Sequence, residues 1–213
     1  QAKLNLNGLV NADGSIDQIV VARFNNLFST LVVEVEVDKL IDWIDENDEI
    51  QGDNGSEDGS YLIKERPYRT GNQPFLSVSE LMLIDGVTPA IYQLLLPHIT
   101  ALPIGVKSIN VNTCTEEVMR SLPRDRTLTN AEAQAIINER PYDNIQDFKE
   151  RPEFAGSTLE GSFSINTEFF QVSTRVTLAD RVSRLVSVLH RDGGNGGLTL
   201  MSRDQGKKYI IAQ

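Results

Sequence analysis

The chain has one cysteine, Cys114, and two histidines, His98 and His190. A lone cysteine cannot close an internal disulfide, and the count fits either the cytosol or a periplasmic protein that does without bridges. The same scarcity removes most catalytic chemistry. There is no G-x-S-x-G elbow, Cys114 has no recognisable partner, and a zinc site would have to be assembled from scattered residues. His98 reads as the end of a helix and His190 as part of a strand. The glycine run at 193–197 lacks the Lys-Ser/Thr of a P-loop and reads as a flexible turn. No run of about 18 apolar residues occurs, so the stretch is expected to be soluble, without a signal or membrane segment of its own. Basic residues are also short. Twenty Lys and Arg face thirty Asp and Glu, a net charge of −10, which disfavours nucleic acid and anionic membranes and makes a cation the more natural guest.

What the chain does have is a local concentration of acid. Glu34 to Asp58 holds eleven carboxylates against Lys39 alone, and the remainder carries nineteen of each sign. Carboxylates this dense repel one another unless solvent screens them or a cation neutralises them. Asp45 and Asn47 at alternate loop positions, with Glu57 and Asp58, offer oxygens to a hard cation, although the EF-hand pattern fails because position twelve from Asp45 is Ser56. A solvated acidic loop is the competing reading, and the pattern alone leaves both open. A hydrolase using Asp45 and Glu57 as paired acids would need a deep cleft between them.

Around this segment the periodicity is first helical, then that of strands. Leu4, Leu6 and Leu9 with Asn5 and Asn7 between them read as a strand. Ser15 can cap a helix whose stripe is Ile16, Ile19, Val20, Arg23, Phe24, Leu27 and Phe28. A second helix over 38–45 presents Leu40, Ile41, Trp43 and Ile44, with Asp42 on its wetter face. A long loop covers 52–74. Ser77 and Glu80 form a capping box, Asp85 to Pro89 a turn, and Ala90 to Leu96 a helix. Thr113 or Thr115 starts another helix, Thr129 and Glu132 a further one, and Ile145 to Glu150 the last. Beyond Gly161 the period becomes two: Phe170 to Leu178 and Val182 to Val188 form an antiparallel hairpin turning near Ala179 and Asp180, with a third strand around Leu198 to Met201. A helix-hairpin-helix in ELMLIDGVTPAIYQLL raises nucleic-acid binding as an alternative function, but the hairpin carries Asp85 and no adjacent Lys or Arg.

Four stretches, DWIDEND with GSEDGSYL, NQPFLSVSELMLIDGVTP, LPHITALP with INVNT, and SINTEFFQVSTRV, together resemble the general secretion pathway protein K family, the large minor pseudopilins of type II secretion. The resemblance implies an α+β fold: a pseudopilin-like antiparallel sheet formed by 1–12 and 160–213, interrupted by an α-helical domain at 13–159. That domain would contain an acidic metal loop at 42–61 and helix-hairpin-helix or SAM-like parts at about 75–112 and 113–150. It implies a non-enzymatic role at the tip of the periplasmic pseudopilus, with I-type and J-type minor pseudopilins as partners and the H-type pseudopilin, secreted cargo and secretin as further ones. No nucleic acid is expected, and contact with the inner membrane would come only through an N-terminal helix lying outside this sequence. Structural calcium is the implied cofactor. The family's acidic motif falls on Asp42, Trp43, Asp45, Glu57 and Asp58, with Asp45, Asn47, Glu57 and Asp58 as metal ligands. Asn47 stands where many members have Asp, and Cys114 replaces a small residue after INVNT.

Overall fold

The computed structural model describes residues 1–194 and 196–205. They form two compact units: Ala2–Ile165, and a smaller one made of Gln1 with the chain from Asn166 onward. Among the described residues no helix is long and apolar enough to cross a membrane.

The larger unit begins with β1 (Leu4–Asn5), a 3-10 turn at Leu6–Gly8, and helices α1 (Gln18–Leu31), α2 (Val37–Ile44) and α3 (Asp58–Leu62). After a 3-10 helix at Val78–Leu83 come α4 (Pro89–Leu95), β2 (Ile99–Thr100), β3 (Ile109–Asn110), α5 (Glu116–Arg120), α6 (Asn130–Asn138), α7 (Ile145–Lys149) and β4 (Phe163–Ser164). Its strands are two-residue parallel pairs, β1 with β2 and β3 with β4. Helical packing around one apolar core holds the unit together, with Leu6, Phe24, Leu27, Leu40, Val118, Ile136 and Phe148 among its members.

The opening segment differs from the expected sheet strand. Leu4–Asn5 pairs with Ile99–Thr100, and residues 2–12 lie in the larger unit instead of joining the sheet expected over 1–12 and 160–213. The cause is chemical. Asn5 and Asn7, which alternation would point at water, are buried and hydrogen-bonded: Asn7 exchanges bonds with both backbone groups of Phe75 and donates to the Leu102 carbonyl, while Asn5 donates to Pro103 and Val106. Two asparagines thus satisfy loop backbone that would otherwise be buried unpaired. The expected boundary at 160 likewise moves to 166, because Phe163–Ser164 pairs with Ile109–Asn110.

Local capping explains the helix starts. Asp17, not Ser15, caps α1, accepting from the Ile19 and Val20 amides. Thr115 caps α5, and Thr129 with Glu132 completes a capping box on α6. The Ser77–Glu80 box is also present, on a 3-10 helix.

The smaller unit is the antiparallel sheet β5 (Phe169–Leu178), β6 (Arg181–Arg191) and β7 (Leu198–Gln205). Ala179, in left-handed backbone, turns β5 into β6 at the expected place, and a bulge follows Val188 in the pairing of β6 with β7. The turn expected over 193–197 includes Asn195, and the expected sheet boundary includes 206–213; these fall outside the described residues.

Candidate functional site

The acidic segment wraps the C-terminal end of α2. Val37, Leu40, Ile41, Trp43 and Ile44 bury most of the helix surface, so Asp42 is drawn inside as well. It is 0% exposed. The expectation of a wetter face is corrected here: loop 51–56 folds over the helix, and Asp42 accepts the Gln51 amide at 3.0 Å and the Ser56 amide at 2.6 Å. A buried carboxylate is tolerated because backbone donors replace the lost water.

Beneath the loop lies an aromatic cluster. The Trp43 ring meets Tyr61 edge-on at 5.7 Å between centroids and Tyr68 at 6.5 Å, and stacks with Phe75 at 6.5 Å. Stretch 52–74, expected as one long loop, therefore contains α3 and folds inward because its tyrosines have an indole to cover.

The four expected ligands are placed unequally. Asp45 is 7% exposed; its Oδ2 accepts from the Asn47 side-chain Nδ2 at 2.9 Å, while its buried Oδ1 has no partner among the described residues. Glu57 is 5% exposed; its Oε2 accepts from the Thr70 hydroxyl at 3.2 Å, and its buried Oε1 has no partner among the described residues. Asn47 is exposed, and its oxygen accepts from the Glu49 amide at 2.7 Å. Asp58 is turned elsewhere: it pairs with Arg69 at 2.7 Å and accepts from the Thr70 amide and hydroxyl, both at 2.9 Å.

Electrostatics separates the same residues. Burial, reinforced by Asp42, Asp45 and Asp48, pushes Glu57 up to about 7. Burial likewise raises Asp42 to about 6, with Asp45 and Asp38 adding to it, and raises Asp45 with help from Asp48. Asp58 moves the other way because the Thr70 amide holds it. The structure thus brings Asp42, Asp45 and Glu57 within mutual repulsion and leaves Asp58 outside that group.

Sequence reasoning missed Asn72. Its side-chain nitrogen donates to Asp48 at 3.1 Å, and its buried side-chain oxygen has no partner among the described residues. Only the folding back of 70–72 onto the acidic loop places it there, and no local spacing signals that.

Among the described residues no group of three or more His, Cys, Asp or Glu side chains is set to hold a metal ion. The donors nevertheless suit a hard cation. The unpartnered buried oxygens of Asp45, Glu57 and Asn72 are the atom type calcium takes, and calcium commonly completes its shell with carbonyls and water. At the hairpin turn that raised nucleic acid, Asp85 pairs with Lys64 at 3.0 Å and Lys39 at 3.3 Å, so these two cations are engaged by a carboxylate.

Comparison with known proteins gives a consistent result. Two family models described as type II secretion system protein K match residues 2–104 and 109–166. Type II secretion system protein K of Pseudomonas aeruginosa is 35% identical over 214 residues, covering 96% of this chain and 62% of that protein. The protein K of Pectobacterium carotovorum subsp. carotovorum is 32% identical over 160 residues, covering 71% of this chain and 48% of its own length. The chain therefore spans less than two thirds of these relatives. A chain of the GspK-GspI-GspJ complex from the enterotoxigenic Escherichia coli type 2 secretion system superposes with a TM-score of 0.81 at 24% identity, over 97% of this chain and 76% of that one. The α+β fold is the one found there. This chain belongs to the type II secretion system protein K family.

Proposed function

We propose that this chain is the periplasmic part of a minor pseudopilin that assembles with I-type and J-type minor pseudopilins at the tip of the pseudopilus. The observation that carries the reading is the superposition over 97% of the chain on a protein solved in complex with its I and J partners. In this role the protein is structural, not an enzyme: its helical unit caps or initiates the filament that moves folded cargo toward the outer-membrane secretin, and the H-type pseudopilin continues the filament below. A helix N-terminal to these residues anchors it in the inner membrane.

Within this reading the acidic loop is a structural calcium site. Asp45 and Glu57 supply carboxylate oxygens, Asn72 and Asn47 supply amide oxygens, and Asp58 braces the loop through Arg69 and Thr70 without facing the ion. The ion's chemical contribution is charge neutralisation at a point where buried carboxylates otherwise repel. Two measurements test the parts separately. Co-elution with the I and J soluble domains on gel filtration tests assembly, and separate elution contradicts it. Calcium at a hundred times its dissociation constant should add about 2.7 kcal/mol of stability, and unchanged melting between excess calcium and chelator contradicts the cation site.

A further inference from the structure

Asp42 differs from its acidic neighbours in what its oxygens touch. Oδ1 holds the Gln51 amide and Oδ2 the Ser56 amide, so one buried carboxylate closes both ends of loop 51–56. Gly55 permits the closure: a Cβ there would lie 2.2 Å from Asp42 Oδ2 and 2.6 Å from the Gln51 carbonyl oxygen. Asp45 follows Asp42 by three residues near the end of the same helix, and Glu57 directly follows Ser56. The two backbone bonds of Asp42 therefore set the separation of the residues whose buried oxygens, Asp45 Oδ1 and Glu57 Oε1, have no partner among the described residues.

We infer that Asp42 is the positioning residue of the cation site: it does not bind the ion, but ties loop 51–56 to α2 and so holds Glu57 on the loop in a fixed place relative to Asp45 on the helix end before the ion arrives. This rests on the calcium reading above. Groups behind the ligands commonly matter in this way, because they fix ligand orientation before the metal arrives.

The test is terbium binding, with calcium as competitor. Terbium takes oxygen ligands like calcium, is excited through the single tryptophan Trp43, and its luminescence decay in light and heavy water counts the water molecules on the ion. In Asp42→Asn an amide NH₂ replaces one acceptor oxygen and faces a backbone donor, so one loop bond is lost. The expected result is roughly ten- to a hundred-fold weaker binding with an unchanged water count. Gly55→Ala, which pushes the loop off Asp42 without altering any carboxylate, should weaken binding in the same way. Glu57→Gln or Asp45→Asn should change the water count as well.

Wild-type affinity in a folded Asp42→Asn variant overturns the inference and leaves the calcium reading standing. An added water in that variant also overturns it, since Asp42 would then be a ligand. If Asp42→Asn does not fold, Gly55→Ala decides, and wild-type affinity there overturns the inference. A wild-type protein that binds neither ion overturns both readings.

Discussion

The guanidinium carbon of Arg23 sits 4.8 Å from the centroid of the Phe163 ring, and Arg23 Nη2 donates to the Glu160 carbonyl. Arg23 occupies the buried stripe of α1 among Val20, Phe24 and Leu27, at 1% exposure. Burial lowers its pKa to about 10, with Asp17 opposing the shift, so the group stays charged at neutral pH. Its cost is offset by the ring face and the carbonyl, and together they fix the last segment of the larger unit against its first long helix. Arg23→Ala should destabilise by about 3 kcal/mol through the cavity and the unpaired Glu160 carbonyl. Arg23→Met, which fills the space and removes a desolvated charge, should cost less. Urea unfolding of the two variants checks the order.

The acidic loop predicts an unusual pH dependence. In the folded protein Glu57 titrates at about 7 and Asp42 at about 6, whereas unfolded carboxyls titrate near pH 4. Between about pH 4.5 and 7 the folded state therefore holds more protons than the unfolded one, and stability falls as the pH rises through that window. Carboxylates held low act only further down: Glu132, kept at about 2 by Arg126, loses its contribution below about pH 4.5. In chelator, melting should occur at a lower temperature at about pH 7.5 than at about pH 5.5, with Glu57→Gln flattening the difference. Calcium favours the ionised forms and should shrink or reverse it.

What the sequence made legible divides by how local the cause is. The Ser77–Glu80 and Thr129–Glu132 boxes were readable because both partners lie within four residues, and the sheet hairpin because its alternation and its turn at Ala179 are contiguous. The burial of Asp42 is not legible in its own helix because its surroundings are created by amides nine and fourteen residues away. The burial of Asn5 and Asn7 is equally invisible locally because their partners, at Phe75 and in the 102–106 loop, lie some seventy to a hundred residues on. Within the acidic loop, charge density located the region, while Arg69 and Thr70 decided that Asp58 differs from Glu57.

Close packing beneath the loop gives a second stability prediction. A Cβ at Gly71 would lie 2.9 Å from Trp43 Nε1 and 3.0 Å from the Trp43 carbonyl oxygen, a backbone atom that moves only with α2. Gly71→Ala should therefore cost about 1–3 kcal/mol and shift Trp43 emission. Gly59→Ala, with open space on α3, should be neutral or stabilise by up to about 1 kcal/mol. Denaturant titration followed by fluorescence reads both.

Cys114 should be chemically silent in the native state. It is buried, with Arg140 Nη2 3.1 Å from its sulfur, and burial pushes its thiol up to about 11 against the pull of that arginine. A thiol reagent should label it only as fast as the protein opens. Rapid labelling without denaturant would contradict this placement.

The account turns on assembly, and light scattering coupled to gel filtration measures it most directly. The 23.7 kDa chain, mixed with the soluble I-type and J-type domains in calcium, should elute in one species whose mass is the sum of one copy of each. Three separate peaks, each at the mass of its own component with calcium present, would contradict the proposed place of this protein at the pseudopilus tip.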